Sequence, residues 1–291
     1  MHLNYQKMDK LKVWFTDMWD PWHLEDFITP ILNKHFDLIL DNKKPDVLFH
    51  SIFNRMSDSP NYKCKKVLIL AENWRPLQFK TDYSISFDPH TQTNYRLPLW
   101  QIYLLLKPEL KDRLFNRRKI EDNFDRFCAF TVSNPSNQLR NSHFDLLSEY
   151  KRVNAYGKVK MNSLELKKMS DNRYWRDAKD QFFTYHTHKF MMTYENTSYP
   201  YYCTEKLMDA FLAGALPIYW GDLKVEEDWN SKAFINVTKN SNWLNLVKDL
   251  DNNSSLFEEM YSQPVFTDIQ KEKLLQNINE FEKWLIKIVL N

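Results

Sequence analysis

The feature that most constrains the fold is a repeated alternation between short apolar runs and segments with helical periodicity. Short apolar runs bounded by turn residues are typical of buried strands. Five such runs fall in the first hundred residues: LKVWF (11–15), DLILD (37–41), DVLFH (46–50), KVLILAE (66–72) and YSISFD (83–88). Because strands that alternate with helices form parallel sheets, the sequence predicts an α/β fold.

A second alternating series follows a charged segment, 104–125, that has no clear periodicity and that we interpret as a connector between two domains. Its predicted strands are FCAFTVSN (127–134), RVNAYG (152–157), KFMMTYEN (189–196), LPIYW (216–220) and AFINV (233–237). The two series predict two Rossmann-like domains, 1–120 and 121–265, and an amphipathic helix at 266–291 that docks on the rest of the chain. Ligands of such sheets bind beyond the carboxyl ends of the strands.

The composition argues against several function classes. A formal net charge of +2 gives no sign of the basic face that nucleic-acid binders carry, so we expect no nucleic-acid partner. Only three glycines are present, which leaves no room for a glycine-rich phosphate loop. Any phosphate must therefore be held by side chains and by a helix N-terminus.

Cysteine content and hydropathy bear on location. Cys64, Cys128 and Cys203 are too scattered for a disulfide framework or a CxxC metal site, and are typical of a reducing compartment. No run approaches the roughly 18 apolar residues of a membrane span, and the start lacks the apolar region of a signal peptide. We expect a cytoplasmic protein without a transmembrane segment. Two alternatives stay open: either a membrane anchor was removed from the chain, or the basic run at 107–120 makes a peripheral membrane contact.

The densest group of chemical side chains lies in YENTSYPYYCTEKLMDAFLAGALPIYWGD, 194–222. Thr204 is the expected N-cap of a helix that Gly214 ends, with Glu205 and Lys206 in the first turn. A lysine there opposes the helix macrodipole unless an anion shares the site. A phosphate would make Lys206 a binding group; otherwise it points into solvent and Glu205 is an ordinary first-turn acid.

Two further candidates follow predicted strands. Glu72 ends an apolar strand, where a carboxylate tends toward a raised pKa that suits a general base; pairing with Arg75 is the alternative. Ser133 and Asn134 end the strand before Arg140, whose guanidinium could grip a diphosphate or simply lie on the surface. Two weak metal motifs, Asp249-Leu-Asp251 and His186-Thr-His188, are discounted, so no metal site is expected.

These residues resemble the signature of a known family. The stretch YENTSYPYYCTEKLMDAFLAGALPIYWG is similar to the signature of the α-1,3/4-fucosyltransferases of glycosyltransferase family 10. FTVSNPSNQLRN resembles a second family block, and AENWRP with DYSISFD and YRLPLW resembles a third. The three blocks span 66–237 in the family order. Tyr194 stands where Phe is usual, and NAYGK has fewer glycines than the corresponding turn.

The resemblance implies a GT-B fold, in which an N-terminal domain binds the acceptor, a C-terminal domain binds GDP-fucose, and the two face a central cleft. It implies inverting transfer of L-fucose, with Glu72 as general base and no required metal or cofactor. The implied donor-binding residues are Ser133, Asn134, Arg140, Asn196, Tyr202, Glu205 and Lys206. Arg140 and Lys206 would bind the diphosphate, Glu205 the ribose, and Asn196 and Tyr202 the nucleotide-sugar region.

The acceptor is expected to be a glycan of lactosamine or lactose type, fucosylated on N-acetylglucosamine or glucose. Two alternatives remain open at this point. One is another inverting GT-B transferase with a different nucleotide sugar, and the other is a catalytically silent glycan-binding relative. A donor panel separates the first from a fucosyltransferase, and GDP release from GDP-fucose excludes the second.

Overall fold

The computed structural model describes residues 9–18, 25–56, 58–117, 124–170 and 175–290. Within it the chain forms two compact units, Met1–Leu106 with Leu274–Asn291, and Lys107–Lys273. The sequence placed a division near residue 120 and treated the last helix separately; the units divide after Leu106, and the residues from Leu274 onward belong to the first. Residues 118–123 of the predicted charged segment and residue 291 of the predicted last helix lie outside the described residues.

The first unit contains a six-stranded parallel sheet with the strand order β2-β1-β3-β4-β5-β6. Its strands are β1 Lys10–Thr16, β2 Asp37–Leu40, β3 Val47–His50, β4 Lys65–Ile69, β5 Tyr83–Ser86 and β6 Asn94–Arg96. Two helices of this unit are α1 Glu25–Asn33 and α2 Leu99–Leu106. The central strands β3 and β4 are apolar and largely buried, because a parallel sheet is covered on both faces.

The second unit contains a five-stranded parallel sheet with the order β11-β10-β9-β7-β8. Its strands are β7 Arg126–Phe130, β8 Val153–Ala155, β9 His188–Tyr194, β10 Leu216–Trp220 and β11 Ile235–Asn236. Its helices are α3 Glu109–Phe115, α4 Gln138–Tyr150, α5 Glu165–Ser170, α6 Trp175–Tyr185, α7 Lys206–Leu212, α8 Trp243–Asn252 and α9 Ser254–Tyr261. The chain leaves β7 toward β8 on one side and reaches β9 on the other, so the order reverses between β7 and β9.

The last helix, α10 Asp268–Leu290, supplies part of the first unit's core. Phe281 is fully buried, and its ring lies 5.3 Å from that of Tyr95 and 6.0 Å from that of Phe27. The Tyr95 hydroxyl donates to the carbonyl of Asn277 at 2.6 Å, and the Asn277 amide donates to Gln101 at 2.7 Å. The predicted docking of this helix is therefore confirmed, and its partner is the first unit.

All ten predicted strands are present, but several end earlier than expected. β7 ends at Phe130, so Ser133 and Asn134 lie in a loop rather than on the strand. At this edge Gly157 packs against the backbone of Val132, where an added Cβ would lie 2.1 Å from the carbonyl oxygen. The one glycine of NAYGK therefore stands where the segment after β8 lies directly against the segment after β7. Helices α2, α5 and α9 and the short edge strand β6 were not predicted.

Candidate functional site

The reversal of strand order gathers polar residues between the carboxyl ends of β7 and β9. The loop after β7 leads into α4, which carries Arg140, and the loop after β9 leads through Glu195 and Asn196 to α7. In open parallel sheets this reversal is the place where ligands bind. The structure therefore brings two predicted blocks, which are far apart in sequence, to one site in the second unit.

Arg140 joins the two loops. Its guanidinium donates to the Asn196 side chain at 3.1 Å, to the carbonyls of Tyr194 and Glu195 at 3.3 and 3.4 Å, and to the Asn134 carbonyl. The side chain is fully buried, so the alternative of a surface arginine is wrong. Its Nε has no hydrogen-bond partner among the described residues. Burial lowers the pKa of Arg140, although nearby Glu195 opposes that shift.

Asn137 fixes the start of α4 beside this arginine. Its side-chain oxygen accepts from the Arg140 backbone N–H at 3.0 Å and caps the helix, and its amide donates to the Glu195 carbonyl at 3.1 Å. An asparagine cap satisfies a backbone donor that the first helical turn leaves unpaired. The cap of one loop is thereby bonded to the backbone of the other.

Glu195 is the ionic centre of the site, although only its neighbour Asn196 was predicted. It directly follows β9, and its side chain is fully buried. Oε1 accepts from the Thr204 backbone N–H at 2.7 Å, while Oε2 accepts from the Thr204 hydroxyl at 2.7 Å and from Lys206 Nζ at 3.1 Å. The reasoning applied to Glu72, a carboxylate after an apolar strand, applies equally to Glu195 and could have found it.

Lys206 lies between two carboxylates of the protein itself. Its Nζ is 3.1 Å from Glu195 and 3.6 Å from Glu205, and it donates to the Thr204 hydroxyl at 2.8 Å. Burial alone would lower the pKa of Lys206, but the two carboxylates raise it well above its usual value. Only 22% of this side chain is exposed. The lysine is therefore neither a solvent-facing side chain nor an uncompensated charge.

Cations on two helices, α6 and α7, lower the pKa of Glu205. Burial alone would raise its pKa, yet Lys206, Lys179 and Arg176 lower the pKa of Glu205 to about 2. Arg176 and Lys179, both on α6, also pair with Asp209 one turn further along α7, the arginine at 2.8 Å. Burial raises the pKa of Glu195, the more enclosed of the two carboxylates.

The predicted start of α7 needs correction. Glu205, rather than Thr204, occupies the N-cap position, and no side chain caps the helix there. The Thr204 hydroxyl is committed to Glu195 instead, because a fully buried carboxylate requires donors. Gly214 ends the helix as predicted, with φ at 74°.

The remaining predicted donor residues differ in access. Ser133 and Asn134 are exposed, Asn196 is half-buried, and Tyr202 is fully buried. Contact between a ligand and Arg140 or Tyr202 therefore requires local rearrangement.

Gly221 gives Glu195 its space. A Cβ at position 221 would lie 2.5 Å from Glu195 Cγ and 2.7 Å from its Cβ. Gly221 also has φ at 154°, which side chains rarely allow. The next residue, Asp222, accepts the backbone N–H of Tyr201, which has φ at 69°, and thereby holds the tyrosine-rich loop. Gly221 is therefore required both by its backbone conformation and by close contact with the site carboxylate.

Glu72 belongs to the first unit. It follows β4 in a tight bend, its carbonyl accepts the Trp74 N–H at 2.7 Å, and its side chain is half-buried. The guanidinium of Arg75 pairs with Asp88 and donates to Asn73. The role of Glu72 as general base stays a prediction.

The two weak metal motifs have structural roles. Asp251 lies on α8 and binds Lys151 at 3.0 Å and Lys189 at 3.3 Å. His188 uses both ring nitrogens, one with the Tyr156 hydroxyl at 2.9 Å and one with the His186 carbonyl at 3.0 Å. Within the part of the chain that the structure describes, no group of three or more His, Cys, Asp or Glu residues could hold a metal ion. No helix in that part is both long and apolar enough to span a bilayer.

Comparison with solved structures defines the fold. The chain aligns with the crystal structure of an α1,3-fucosyltransferase with GDP-fucose at a TM-score of 0.70 and 22% identity, covering 98% of this chain and 93% of that one. A further crystal structure of an α1,3-fucosyltransferase gives a TM-score of 0.71. Two Rossmann-like parallel sheets and this likeness confirm the predicted α/β fold of GT-B type.

Sequence comparison defines the family. Residues 13–103 match the model of the α-(1,3)-fucosyltransferase FucT N-terminal domain, and residues 122–279 match that of the glycosyltransferase family 10 (fucosyltransferase) C-terminal part. The chain therefore belongs to glycosyltransferase family 10, as the signature predicted.

Two relatives are similar to the chain over most of its length. It is 27% identical to α-(1,3)-fucosyltransferase FucT of Helicobacter pylori over 94% of this chain, and 28% identical to GDP-fucose protein O-fucosyltransferase 3 of Xenopus tropicalis over 72% of it. It spans 64% of the length of the first and 48% of the second.

Proposed function

We propose that the protein transfers L-fucose from GDP-fucose to a hydroxyl of an acceptor glycan, with inversion at the anomeric carbon. The observation that carries the proposal is the Arg140–Glu195–Lys206 constellation at the reversal of the second sheet. It lies in the segment that matches the family 10 fucosyltransferases. A diphosphate there would meet the ammonium of Lys206, whose side chain is 22% exposed, and, after local rearrangement, the guanidinium of Arg140, whose Nε has no hydrogen-bond partner among the described residues.

The proposed reaction breaks the bond between the anomeric carbon and the diphosphate, whose oxygen keeps the electron pair. The acceptor oxygen forms the new bond from the opposite face, and Glu72 takes its proton as the attack proceeds. General-base help of this kind contributes typically ~10²–10⁴-fold. Lys206 and Arg140 would stabilise the charge that grows on the leaving diphosphate. Glu205 would bind the ribose, and Ser133, Asn134, Asn196 and Tyr202 the rest of the donor.

Several parts of this scheme rest on family likeness. The first unit is proposed as the acceptor-binding domain and the second as the donor-binding domain. The proposed acceptor is a lactosamine- or lactose-type glycan, and no cofactor is proposed. The named relative that acts on protein makes a protein acceptor a second possibility to test.

The decisive assay is GDP release from GDP-fucose with β-galactosyl-N-acetylglucosamine, lactose, free sugars and an unfolded peptide mixture as acceptors. Each arm is run with and without chelator, and GDP-mannose and UDP-galactose serve as alternative donors. We expect GDP release and a fucosylated disaccharide when GDP-fucose is the donor, and no turnover with GDP-mannose or UDP-galactose. Turnover only with another donor would contradict the proposal, and turnover lost on chelation would contradict the absence of a metal requirement.

Glu72→Gln tests the general base. We expect at least a ~100-fold loss of transfer with GDP affinity kept, because the amide cannot accept the proton. The matched control is Glu282→Gln, which alters another partly exposed carboxylate of the first unit, paired with Lys34. Near-normal turnover of Glu72→Gln would remove Glu72 from this role.

Lys206→Ala tests the diphosphate contact. We expect weaker binding of GDP-fucose in calorimetry, because a charge-assisted hydrogen bond is lost. Lys189→Ala is the control, since Lys189 is also partly buried and ion-paired in the second unit. Equal GDP-fucose affinity in wild type and Lys206→Ala would refute the assignment.

A further inference from the structure

We propose that Glu195 is a positioning residue that fixes the ammonium of Lys206 for the leaving diphosphate of the donor. The proposal rests on the proposed function, since it presumes that Lys206 meets a diphosphate. It adds a residue that the family resemblance did not assign. Glu195 itself is fully buried and would touch no substrate.

The hydrogen bonds around Lys206 leave one proton for a ligand. An ammonium has three donors. Two are taken, by Glu195 Oε2 at 3.1 Å and by the Thr204 hydroxyl at 2.8 Å. Glu205 lies at 3.6 Å, within ion-pair range but beyond a normal hydrogen bond. The third proton therefore has no acceptor at hydrogen-bond distance among the described residues, and the side chain keeps 22% exposure.

Both anchors are buried and hydrogen-bonded to each other. Glu195 is 0% and Thr204 is 2% exposed, and Glu195 also accepts the Thr204 backbone N–H at 2.7 Å. A lysine side chain is otherwise flexible, and ordering it on binding costs free energy. Because the anchors order it during folding, the ammonium is already placed when a donor arrives. A displacement of about 1 Å of a catalytic charge can cost ~10²-fold in rate.

The charge ratio distinguishes this cluster from two other ion-paired carboxylates of the second unit. Asp209 pairs with two cations, Arg176 and Lys179, and Asp251 pairs with Lys151 and Lys189. Around Lys206 the ratio of close ion pairs is reversed, because one ammonium lies 3.1 Å from Glu195 and 3.6 Å from Glu205, while the charges of Lys179 and Arg176 also lower the pKa of Glu205.

The first test is the reactivity of Lys206 toward an acetylating reagent at pH 8, read by mass spectrometry for each lysine. Glu195→Gln removes the main counter-charge, so the reactive neutral amine should become more abundant. We expect Lys206 labelling to rise at least ~10-fold, the change that one pKa unit produces. Asp251→Asn is the matched control, because it removes a carboxylate of 6% exposure that also pairs with lysine. That variant should leave Lys206 labelling unchanged.

The second test separates positioning from support of the fold. Glu195→Gln should lower kcat about 10–100-fold while GDP affinity stays within ~3-fold, because the ammonium remains but is misplaced when charge grows on the diphosphate. If Glu195 acts through Lys206, adding Glu195→Gln to Lys206→Met should lower kcat no further. An additional loss in the double variant overturns the proposal.

The remaining outcomes are also decisive. Unchanged Lys206 labelling in folded Glu195→Gln overturns the proposal. If that variant does not fold, Thr204→Val removes the second anchor and should raise Lys206 labelling by a smaller factor; no rise overturns it. Labelling does not depend on the reaction, so failure of wild type to release GDP from GDP-fucose would refute the proposed function separately.

Discussion

Replacing Gly221 by alanine tests the tightest contact of the site. The new Cβ would lie 2.5 Å from Glu195 Cγ, whereas ordinary contacts begin near 3.4 Å, so the Glu195 side chain must shift by about 1 Å. Its bonds to Thr204 and Lys206, now 2.7–3.1 Å, would then exceed hydrogen-bond length. The substitution therefore acts on a buried carboxylate without altering any charged residue.

The expected cost has two parts. Overpacking a filled interior costs about 1–3 kcal/mol, and a side chain at φ 154° adds strain of order 1–3 kcal/mol. The total of roughly 2–6 kcal/mol corresponds to a fall of roughly 5–20 °C in the unfolding temperature of a unit of this size. Loss of the fixed ammonium should also raise Lys206 labelling and lower turnover.

Urea and thermal unfolding give the stability change, and lysine labelling with GDP-fucose turnover gives the change at the site. Gly214→Ala is the matched control, because Gly214 also has positive φ, 74°, at the end of α7. We expect both variants to lose stability and only Gly221→Ala to change Lys206 labelling. A folded Gly221→Ala protein with wild-type labelling and turnover would refute the reasoning.

Three further predictions concern stability. Burial lowers the pKa of His188 to about 4 from 6.5. As the pH falls, the unfolded chain therefore takes up a proton at this histidine before the folded chain does. The free energy of unfolding, measured in urea, should drop by ~3 kcal/mol between pH 6.5 and 4. His188→Gln should lack this pH-dependent drop. Truncation after Lys273 should unfold the first unit, because the truncated chain lacks the buried Phe281. Limited proteolysis measures this unfolding. Gly157→Ala should abolish soluble expression or lower the unfolding temperature by more than Gly221→Ala, because its Cβ would meet the Val132 backbone at 2.1 Å and backbone cannot move aside.

Each of these predictions has an opposing result. A pH profile of stability that is identical in wild type and His188→Gln would show that another group titrates. Strands of the first unit that resist protease after truncation would show that α10 is dispensable. A Gly157→Ala protein as stable as wild type would show that the β7–β8 edge can widen.

The sequence predicted the architecture well because apolar runs report buried strands directly. It placed Glu205 and Lys206 beyond a strand end for the same reason. It could not predict burial of Arg140, since that depends on Asn196 and two carbonyls from a loop 54 to 56 residues away. Spacing shows where the chain turns, and it does not show which polar atoms meet after the turn.

Glu195 and Thr204 illustrate the same limit at short range. Local propensity assigned the Thr204 hydroxyl to a helix cap, which is the usual role of threonine at such a position. In the structure a buried carboxylate nine positions earlier takes that hydroxyl. The unfavourable position of Lys206 in the first turn of α7 correctly indicated a nearby anion, but the nearest anions are the protein's own carboxylates, Glu195 and Glu205.

The position of α10 has a consequence for synthesis on the ribosome. The second unit is one continuous stretch, Lys107–Lys273, whereas the first unit combines residues that precede this stretch with residues that follow it. Domains generally fold as units while the chain emerges at roughly 5–20 residues per second. The strands of the first unit are made earliest, yet Phe27 and Tyr95 have no Phe281 to pack against until the last helix is out. The later half of the protein should therefore reach its native state before the earlier half does.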